Sequence, residues 1–250
     1  MVKLSRRELE RYDRQLRIGS FGVKAQRKLK KARVVVAGVG GLGCSAALYL
    51  AAAGVGKLTL IDREKVELSN LNRQILHWTK DVGRYKVDSA LEKLSQLNPD
   101  IEVEGLKTEI NGRNVFSLIE NADVVVDGMD SFKARLLLNR ACIRLGKPFV
   151  HAAVYGLMGE LMTVLPGKGP CYQCYVTPKP REVKTPPVLG ATPGVMGCLE
   201  AVEALKLITG VGSPLVGELL IFDGLQMSFR TVKIVRLKGC PACGKPAEGK

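Results

Sequence analysis

The chain has 250 residues, 46% of them hydrophobic, which is long enough for one large domain with a well-buried core. Its 38 basic residues outnumber its 24 acidic ones and give a net charge of +14, but no aromatic–basic interleaving or helix-turn-helix pattern accompanies them, so we do not expect nucleic acid to be the main partner. No run of about 18 apolar residues occurs, and the charged amino-terminal segment lacks the apolar centre of a secretory signal, so we expect a cytoplasmic protein without a membrane partner.

Strands and helices alternate in the first part of the pattern. A β-branched run predicts a strand over 33–37, an alanine- and leucine-rich run predicts a helix over 41–53, and a second strand follows over 57–61. Further along, the pattern predicts a helix over 85–97, strands over 101–103 and 122–126, a helix over 131–145 and a strand from 148. This alternation predicts a doubly wound, mostly parallel, Rossmann-like α/β sheet.

The last hundred residues have a different pattern. Strand-like runs over 160–165, 218–222 and 230–235 need no intervening helix and are expected to pair antiparallel. A long loop over 168–193 is rich in Pro, Gly and Lys, and Thr192 is predicted to cap a helix that has Pro193 at its first position. The residues after Gly244 look like a disordered tail.

A glycine-rich turn joins the first strand to the first long helix. Gly38, Gly40 and Gly43 give the spacing Gly-x-Gly-x-x-Gly, with Gly41 inside it, so backbone N–H groups and the helix amino terminus can approach a pyrophosphate. Asp62, at the end of the second strand, is placed to bind ribose hydroxyls. This pattern alone indicates a nucleotide site, and NAD-dependent dehydrogenases are the largest class that has it.

Charged residues around this turn favour nucleotidyl transfer. Arg73 lies in the polar stretch 69–74, Lys86 follows it, and Asp127 and Asp130 come after the fourth strand. Cations offset charge on phosphates and a carboxylate can hold Mg²⁺, neither of which a dehydrogenase needs. Each residue also has a simpler interpretation, since Asp130 could cap a helix and the two cations could be solvated surface charges.

Four of the seven cysteines form two Cys-x-x-Cys pairs, Cys171 with Cys174 and Cys240 with Cys243. Four soft ligands on two short loops suit a closed, tetrahedral, structural Zn²⁺ site, with an iron–sulfur cluster as the alternative. The remaining cysteines, Cys44, Cys142 and Cys198, have apolar neighbours and are expected to be buried structural thiols.

These features together resemble the MoeB/ThiF/HesA family, and most closely its MoeB-type members. The resemblance covers nearly the whole chain and rests on residues 11–15, the glycine turn, Asp62 with the stretch 69–74, Lys86, 127–130 and the cysteine pairs. It implies a homodimeric enzyme, related to ubiquitin-activating enzymes, that uses ATP to adenylate the terminal Gly carboxylate of a ubiquitin-like sulfur carrier ending in Gly-Gly. Pyrophosphate would be released, and zinc would be the metal of the cysteine site.

The resemblance also implies roles for individual residues. Asp130 would hold Mg²⁺, Asp62 the ribose, and Arg14 would reach the nucleotide of the other subunit. The phosphates would be bound by Asn70, Arg73, Gln74 and Lys86. A single adenylation domain over 1–250 would consist of an amino-terminal helical segment (1–30), a nucleotide-binding core (31–155) and a part that binds the carrier and contains the crossover loop and zinc (156–250).

Several alternatives stay open. The carrier could be the small subunit of molybdopterin synthase or one that serves thiamine synthesis or tRNA thiolation, and a non-catalytic nucleotide-binding scaffold is an alternative of another class. Neither His77 nor His151 is predicted to be catalytic, because an ionised carboxylate needs no general base. Relatives that form a thioester have a cysteine in the stretch that corresponds to 183–187, where only Thr185 is a heteroatom nucleophile. We therefore expect the reaction to stop at the acyl-adenylate.

Overall fold

The computed structural model describes residues 2–177 and 186–244, and an eight-stranded sheet runs through them in the order β3-β2-β1-β4-β5-β6-β7-β8. The strands are β1 (Arg33–Ala37), β2 (Lys57–Ile61), β3 (Glu102–Leu106), β4 (Val124–Asp127), β5 (Phe149–Tyr155), β6 (Met158–Val164), β7 (Glu218–Asp223) and β8 (Ser228–Lys233). The first five strands pair in parallel, and β5 to β8 pair antiparallel. The predicted mixed sheet is therefore confirmed.

Nine α-helices lie among the described residues. They are α1 (Arg6–Arg11), α2 (Asp13–Leu16), α3 (Gly22–Leu29), α4 (Gly41–Ala53), α5 (Lys86–Leu97), α6 (Val115–Ile119), α7 (Phe132–Leu145), α8 (Tyr172–Tyr175) and α9 (Ala191–Thr209). Two 3₁₀ turns, Leu68–Asn70 and Thr79–Asp81, precede α5. None of the helices in this part of the chain is long and apolar enough to cross a membrane.

Alternate residues of β1 point into two different cores. Val34 and Val36 pack with α4, α5 and α9 on one face of the sheet, whereas Val35 and Ala37 pack with α6, α7 and α8 on the other. Side chains of a strand alternate between its faces, so a strand with helices on both sides is apolar throughout. This double layer confirms the doubly wound arrangement and leaves the carboxyl ends of the strands open for a ligand.

One predicted helix cap is wrong, and so is the simpler interpretation of Asp130 as a cap. The helix after the 127–130 loop is capped by Ser131, whose hydroxyl accepts a hydrogen bond from the Ala134 N–H at 3.3 Å, so Asp130 is not the cap. The last helix is preceded by Gly190, not capped by Thr192, whose buried hydroxyl instead donates to the Gly156 carbonyl at 3.2 Å. Gly190 is required there because a Cβ would lie 2.0 Å from the carbonyl oxygen of Asn72.

The amino-terminal helices dock at the carboxyl end of α4. The Gln15 side-chain amide donates to the Ala53 carbonyl at 2.9 Å, and the Asn98 amide donates to the Tyr12 hydroxyl at 2.9 Å and to the Ala51 carbonyl at 2.7 Å. These contacts fix α1 and α2 at the opposite end of α4 from the glycine turn.

Candidate active site

A cleft of about 900 Å³ opens at the carboxyl ends of the parallel strands. Its lining includes most residues that the sequence predicted for nucleotide binding, namely Gly38, Gly40, Gly41, Asp62, Asn70, Arg73, Gln74, Lys86 and Asp130. They come from five separate stretches of chain and meet because parallel strands end at one edge of the sheet. Gly43 and Arg14 are not in the lining.

The glycines of the turn have different physical reasons to be glycine. Gly38 has a φ of +93°, and a Cβ there would lie 2.5 Å from the Gly128 carbonyl oxygen. A Cβ on Gly43 would lie 1.9 Å from the Gly38 carbonyl oxygen, so Gly43 allows α4 to pack against β1. At Gly40, which precedes α4, a Cβ would meet nothing closer than 3.8 Å. Gly40 therefore keeps open space in front of a helix amino terminus, where an anion is stabilised.

Asp62 braces the glycine turn from the end of β2. Its Oδ2 accepts the Val39 N–H at 2.9 Å and its Oδ1 accepts the Glu64 N–H at 2.8 Å. Burial raises the pKa of this carboxyl above its usual value. Each oxygen retains a second lone pair, so Asp62 can still accept hydrogen bonds from ligand hydroxyl groups.

Two cations and an amide face the same cleft. Lys86 is only 3% exposed, and its Nζ lies 2.6 Å from the Glu64 carboxylate, so it is not a solvated surface charge. Arg73 is half-buried and donates to the Ser69 carbonyl at 2.9 Å. The buried Oε1 of Gln74 has no hydrogen-bond partner among the described residues. A ligand in the cleft can supply one, because Gln74 is part of its lining.

The loop after β4 presents Asp130 at the cleft. The buried Asp127 accepts the Met129 N–H at 3.0 Å through Oδ1, and its Oδ2 lies 2.6 Å from His151 Nδ1. Arg135, from α7, donates to the Met129 carbonyl at 2.7 Å. The backbone is thus held on both sides, while Asp130 itself is exposed. His151 is a buried, hydrogen-bonded residue of β5.

Arg14 lies far from this cleft within one chain. It is exposed on α2, beside Gln15, which is bonded to the carboxyl end of α4. The helix has 13 residues, and at 1.5 Å per residue it separates the two ends by about 18 Å. An arginine side chain does not bridge that distance.

The two cysteine pairs form one buried cluster. Cys171 Sγ lies 4.0 Å from Cys174 Sγ and 3.8 Å from Cys240 Sγ, and Cys174 Sγ lies 3.5 Å from Cys243 Sγ. Zinc–sulfur bonds of about 2.3 Å in a tetrahedron place the sulfurs about 3.8 Å apart. The Asn139 amide donates to Cys171 Sγ at 3.6 Å, a contact that suits a thiolate. The cluster therefore fits zinc.

The other thiols lie outside this cluster. Cys44 and Cys142 are buried as predicted, and burial raises the pKa of Cys44 to about 12. Cys198 is half-buried on α9, more exposed than the predicted core position, and burial raises its pKa too. The stretch 178–185, which includes Thr185, lies outside the described residues.

Comparison with known proteins assigns the chain to a family. Residues 12–242 match the ThiF family. The chain belongs to the ThiF family. Its relatives include named adenylyltransferases that align over nearly the whole chain, and the chain is an enzyme of this nucleotidyltransferase class.

Named relatives of this ThiF-family chain align over nearly its full length. It is 44% identical to "Protein HesA, heterocyst" of Trichormus variabilis, covering 99% of this chain and 93% of that protein. It is 41% identical to the "Sulfur carrier protein adenylyltransferase" of Thermus thermophilus, covering 97% and 93% of the two chains. Among solved structures, E. coli MccB with ATP is 27% identical and covers 94% of this chain and 74% of its own, with a TM-score of 0.82.

The cleft of this ThiF-family chain also contains two charged residues that sequence reasoning missed. Arg135 and Glu160 both line it. Glu160 accepts a hydrogen bond from the Tyr175 hydroxyl at 2.5 Å, and its other oxygen lies 3.7 Å from His151 Nε2. The sequence holds only a weak signal for Arg135. It lies four residues after the cap Ser131, so its side chain is on the face of α7 that follows the 127–130 loop. Glu160 lies on a strand that the sequence treated only as structural.

Proposed function

We propose that this chain uses ATP to adenylate the carboxyl-terminal glycine of a ubiquitin-like sulfur-carrier protein and releases pyrophosphate. The observation that carries the proposal is the single cleft that gathers an open glycine turn, a ribose-type carboxylate, two cations and an exposed carboxylate. The relative named as a sulfur carrier protein adenylyltransferase supports the choice of acceptor.

In the proposed reaction, the carrier carboxylate attacks the α-phosphorus and pyrophosphate leaves. The carboxylate is ionised near neutral pH, so the protein has only to position the reactants and offset charge. The amino terminus of α4, Arg73 and Lys86 face the site where negative charge develops on the phosphates. Lys86 would give up its ion pair with Glu64 and bind a phosphate oxygen instead. The Glu64 side chain is exposed, so water can solvate its carboxylate once Lys86 leaves it.

Asp130 is the residue proposed to hold Mg²⁺. Its carboxylate is a hard oxygen ligand, it is exposed at the cleft, and no hydrogen bond to another described side chain occupies it. When bound, Mg²⁺ would offset the charge of the phosphates and of the departing pyrophosphate.

The cleft continues past the proposed nucleotide site along the antiparallel strands. Its lining there includes Tyr155, Met158 and Gly159. An extended Gly-Gly tail suits this part of the cleft because it carries no side chains. We place the carrier tail here, and its globular part beside β7 and β8.

An NAD-dependent dehydrogenase would leave Arg73, Lys86 and Asp130 without a role. The cleft brings these three together beside the glycine turn, which favours nucleotidyl transfer over hydride transfer. Thermal-shift measurements separate the two classes. We expect ATP with Mg²⁺, and not NAD, to raise the melting temperature.

Pyrophosphate exchange with candidate carriers tests the proposal. Labelled pyrophosphate should enter ATP only when the chain is mixed with a ubiquitin-like protein that ends in Gly-Gly, and the same protein without its last glycine should not support exchange. The identity of the carrier that supports exchange shows whether the chain acts in molybdopterin synthesis, thiamine synthesis or tRNA thiolation. If no such carrier supports exchange although ATP binds, the acceptor is wrong.

Asp130→Ala is expected to abolish this exchange while the melting temperature stays unchanged, because the side chain is exposed and makes no hydrogen bond or ion pair within residues 2–177 and 186–244. Asp123→Ala is the matched control. Asp123 is also exposed and lies at the amino end of the same strand, where it accepts the Arg33 N–H at 2.8 Å. Near-normal exchange in Asp130→Ala would contradict the Mg²⁺ assignment.

A further inference from the structure

His77 lies directly behind the glycine turn and has no part in the chemistry proposed above. It is 3% exposed, and its Nε2 lies 3.0 Å from the carbonyl oxygen of Val39, the residue between Gly38 and Gly40. On the other side of the ring, Nδ1 lies 3.0 Å from Ser89 Oγ on α5. The imidazole therefore connects the turn to a helix of the core.

These contacts determine which ring nitrogen carries the proton. A carbonyl oxygen only accepts hydrogen bonds, so Nε2 must donate to Val39. Burial, with the nearby charges of Lys86 and Lys93, lowers the pKa of His77 to about 4, so the ring is neutral near neutral pH. A neutral ring has one N–H, which makes Nδ1 the acceptor of the Ser89 hydroxyl proton.

A buried ion pair fixes the position of Ser89 in turn. Lys93 Nζ donates to Ser89 Oγ at 2.8 Å and to Asp81 Oδ2 at 2.5 Å, and both charged side chains are buried. Asp81 also accepts the Trp78 N–H at 2.8 Å. A continuous set of hydrogen bonds thus runs from the 3₁₀ turn Thr79–Asp81 to the glycine turn.

The orientation of the Val39 carbonyl sets the direction of the next N–H. In a trans peptide the C=O and the following N–H point in opposite directions. With its carbonyl turned toward His77, the peptide directs the Gly40 N–H away from the core, on the side where Gly40 lines the cleft. The Val39 N–H is held separately by Asp62 at 2.9 Å, so the peptide planes on both sides of Val39 are fixed.

We propose that His77 is a positioning residue whose Nε2–H holds the Val39 peptide so that the Gly40 N–H is aimed at a phosphate of the bound nucleotide. The Cys44 thiol also lies 3.4 Å from the Val39 carbonyl, but an S–H is too weak a donor to replace the imidazole. The backbone N–H of His77 donates to the Gln74 carbonyl at 2.9 Å, so the same residue is also bonded to a residue that lines the cleft. The inference rests on the proposed function only in taking ATP as the ligand.

Substitutions of His77 by Gln and Asn test this role, because both keep an N–H donor but place it at different distances from the backbone. In His77→Gln the side-chain NH₂ extends to the position of Nε2, whereas in His77→Asn it extends only to that of Nδ1. We expect His77→Gln to bind ATP with Mg²⁺ as wild type does, and His77→Asn and His77→Leu to bind about tenfold more weakly, the size of one lost hydrogen bond. ATP affinity is measured by titration calorimetry on the full chain without carrier, below the lowest melting temperature of the set.

The control variant is Asn98→Ala, which removes a fully buried polar side chain at the far end of α4. It is expected to lower the melting temperature and to leave ATP affinity unchanged. Equal ATP affinity in His77→Asn and His77→Gln would overturn the inference, as would a loss of affinity in Asn98→Ala that matches the loss in His77→Asn. The ATP titrations contain no carrier, so they do not depend on the proposed acceptor. If ATP binds but no carrier supports pyrophosphate exchange, the proposed acceptor is contradicted, and the ATP affinities of the His77 variants still test this inference.

Discussion

Gly40 and Gly43 of the turn are glycines for different physical reasons, one next to the cleft and the other inside the packed core. Gly43 lies where β1 and α4 touch, and its missing Cβ would be 1.9 Å from Gly38 oxygen and 3.3 Å from Val36 Cγ1. Gly40 borders the cleft and has no such neighbour. The same residue type is therefore required at one position by the fold and at the other, under the proposed function, by the ligand.

Alanine substitutions should separate these two requirements. Gly43→Ala forces α4 away from the sheet, and we expect a loss of about 1–3 kcal/mol in the free energy of unfolding, as in other overpacked cores. Gly40→Ala should keep the melting temperature and weaken ATP binding, because its methyl group occupies space next to the helix amino terminus. Melting curves and calorimetric titrations with ATP measure the two effects. A stable Gly43→Ala, or a Gly40→Ala with wild-type ATP affinity, would contradict this division.

Cys198 is the candidate thiol for a covalent adduct with the carrier, because it is half-buried whereas the other six cysteines are buried. Burial raises its pKa, and no cation or hydrogen-bond donor in the described part of the chain lowers it again, so little thiolate is expected near neutral pH. We expect no thiol-sensitive adduct after the chain is incubated with carrier, ATP and Mg²⁺ and run on a non-reducing denaturing gel. An adduct of carrier size that is absent from Cys198→Ala would contradict this expectation.

At the scale of elements, the sequence predicted best where glycine marks the boundary. The bounds of β1, α4 and β2 agree residue by residue with the prediction. Gly38 follows β1, Gly54 follows α4 and Gly56 precedes β2, and at each of these glycines a Cβ would lie too close to a neighbouring atom. The start of α9 was wrong because Thr192 and Pro193 form a typical capping pattern, whereas the actual boundary is set by contact of Gly190 with the distant Asn72 carbonyl. Local pattern carries no information about such a contact.

The same limit applies to the site. Residues that follow the carboxyl ends of parallel strands could be predicted to meet, and Asp62, Lys86 and Asp130 do line one cleft. Arg135 and Glu160 were missed because their approach depends on how α7 and β6 are oriented in three dimensions. The role of His77 was missed for the same reason, since its partners Val39 and Ser89 are distant in sequence.

The cysteine cluster joins two elements that are far apart in sequence, the short helix α8 and the segment after β8. We expect the chain to hold one zinc ion and Cys174→Ser to lose it and to melt at a lower temperature. ATP affinity should stay near wild type because none of the four cysteines lines the cleft. Elemental analysis and melting curves measure this. Cys198→Ser, which alters a thiol outside the cluster, is the control and should keep its metal. Iron in the purified protein would contradict the zinc assignment.

At the scale of the whole molecule, the position of Arg14 bears on the number of chains that make one active site. Gln15 fixes α2 at the carboxyl end of α4, and the glycine turn is at the other end of that helix. The apolar side chains Leu9 and Ile18 on the amino-terminal segment are 40% and 52% exposed. Both features suit a homodimer in which this segment packs on a second copy and Arg14 enters the cleft of that copy.

Mixing two inactive variants tests this arrangement. Arg14→Ala and Asp130→Ala should each abolish pyrophosphate exchange alone, because each removes one charged group from every site. In a hybrid dimer, the site with wild-type Asp130 receives a wild-type Arg14 from the other subunit, so one of its two sites is intact. Random exchange of equal amounts makes half of the dimers hybrid, and activity should return to about a quarter of the wild-type level. Co-purification of differently tagged subunits after mixing shows that hybrid dimers have formed. If pyrophosphate exchange nevertheless stays at background, Arg14 does not act on the neighbouring subunit's site.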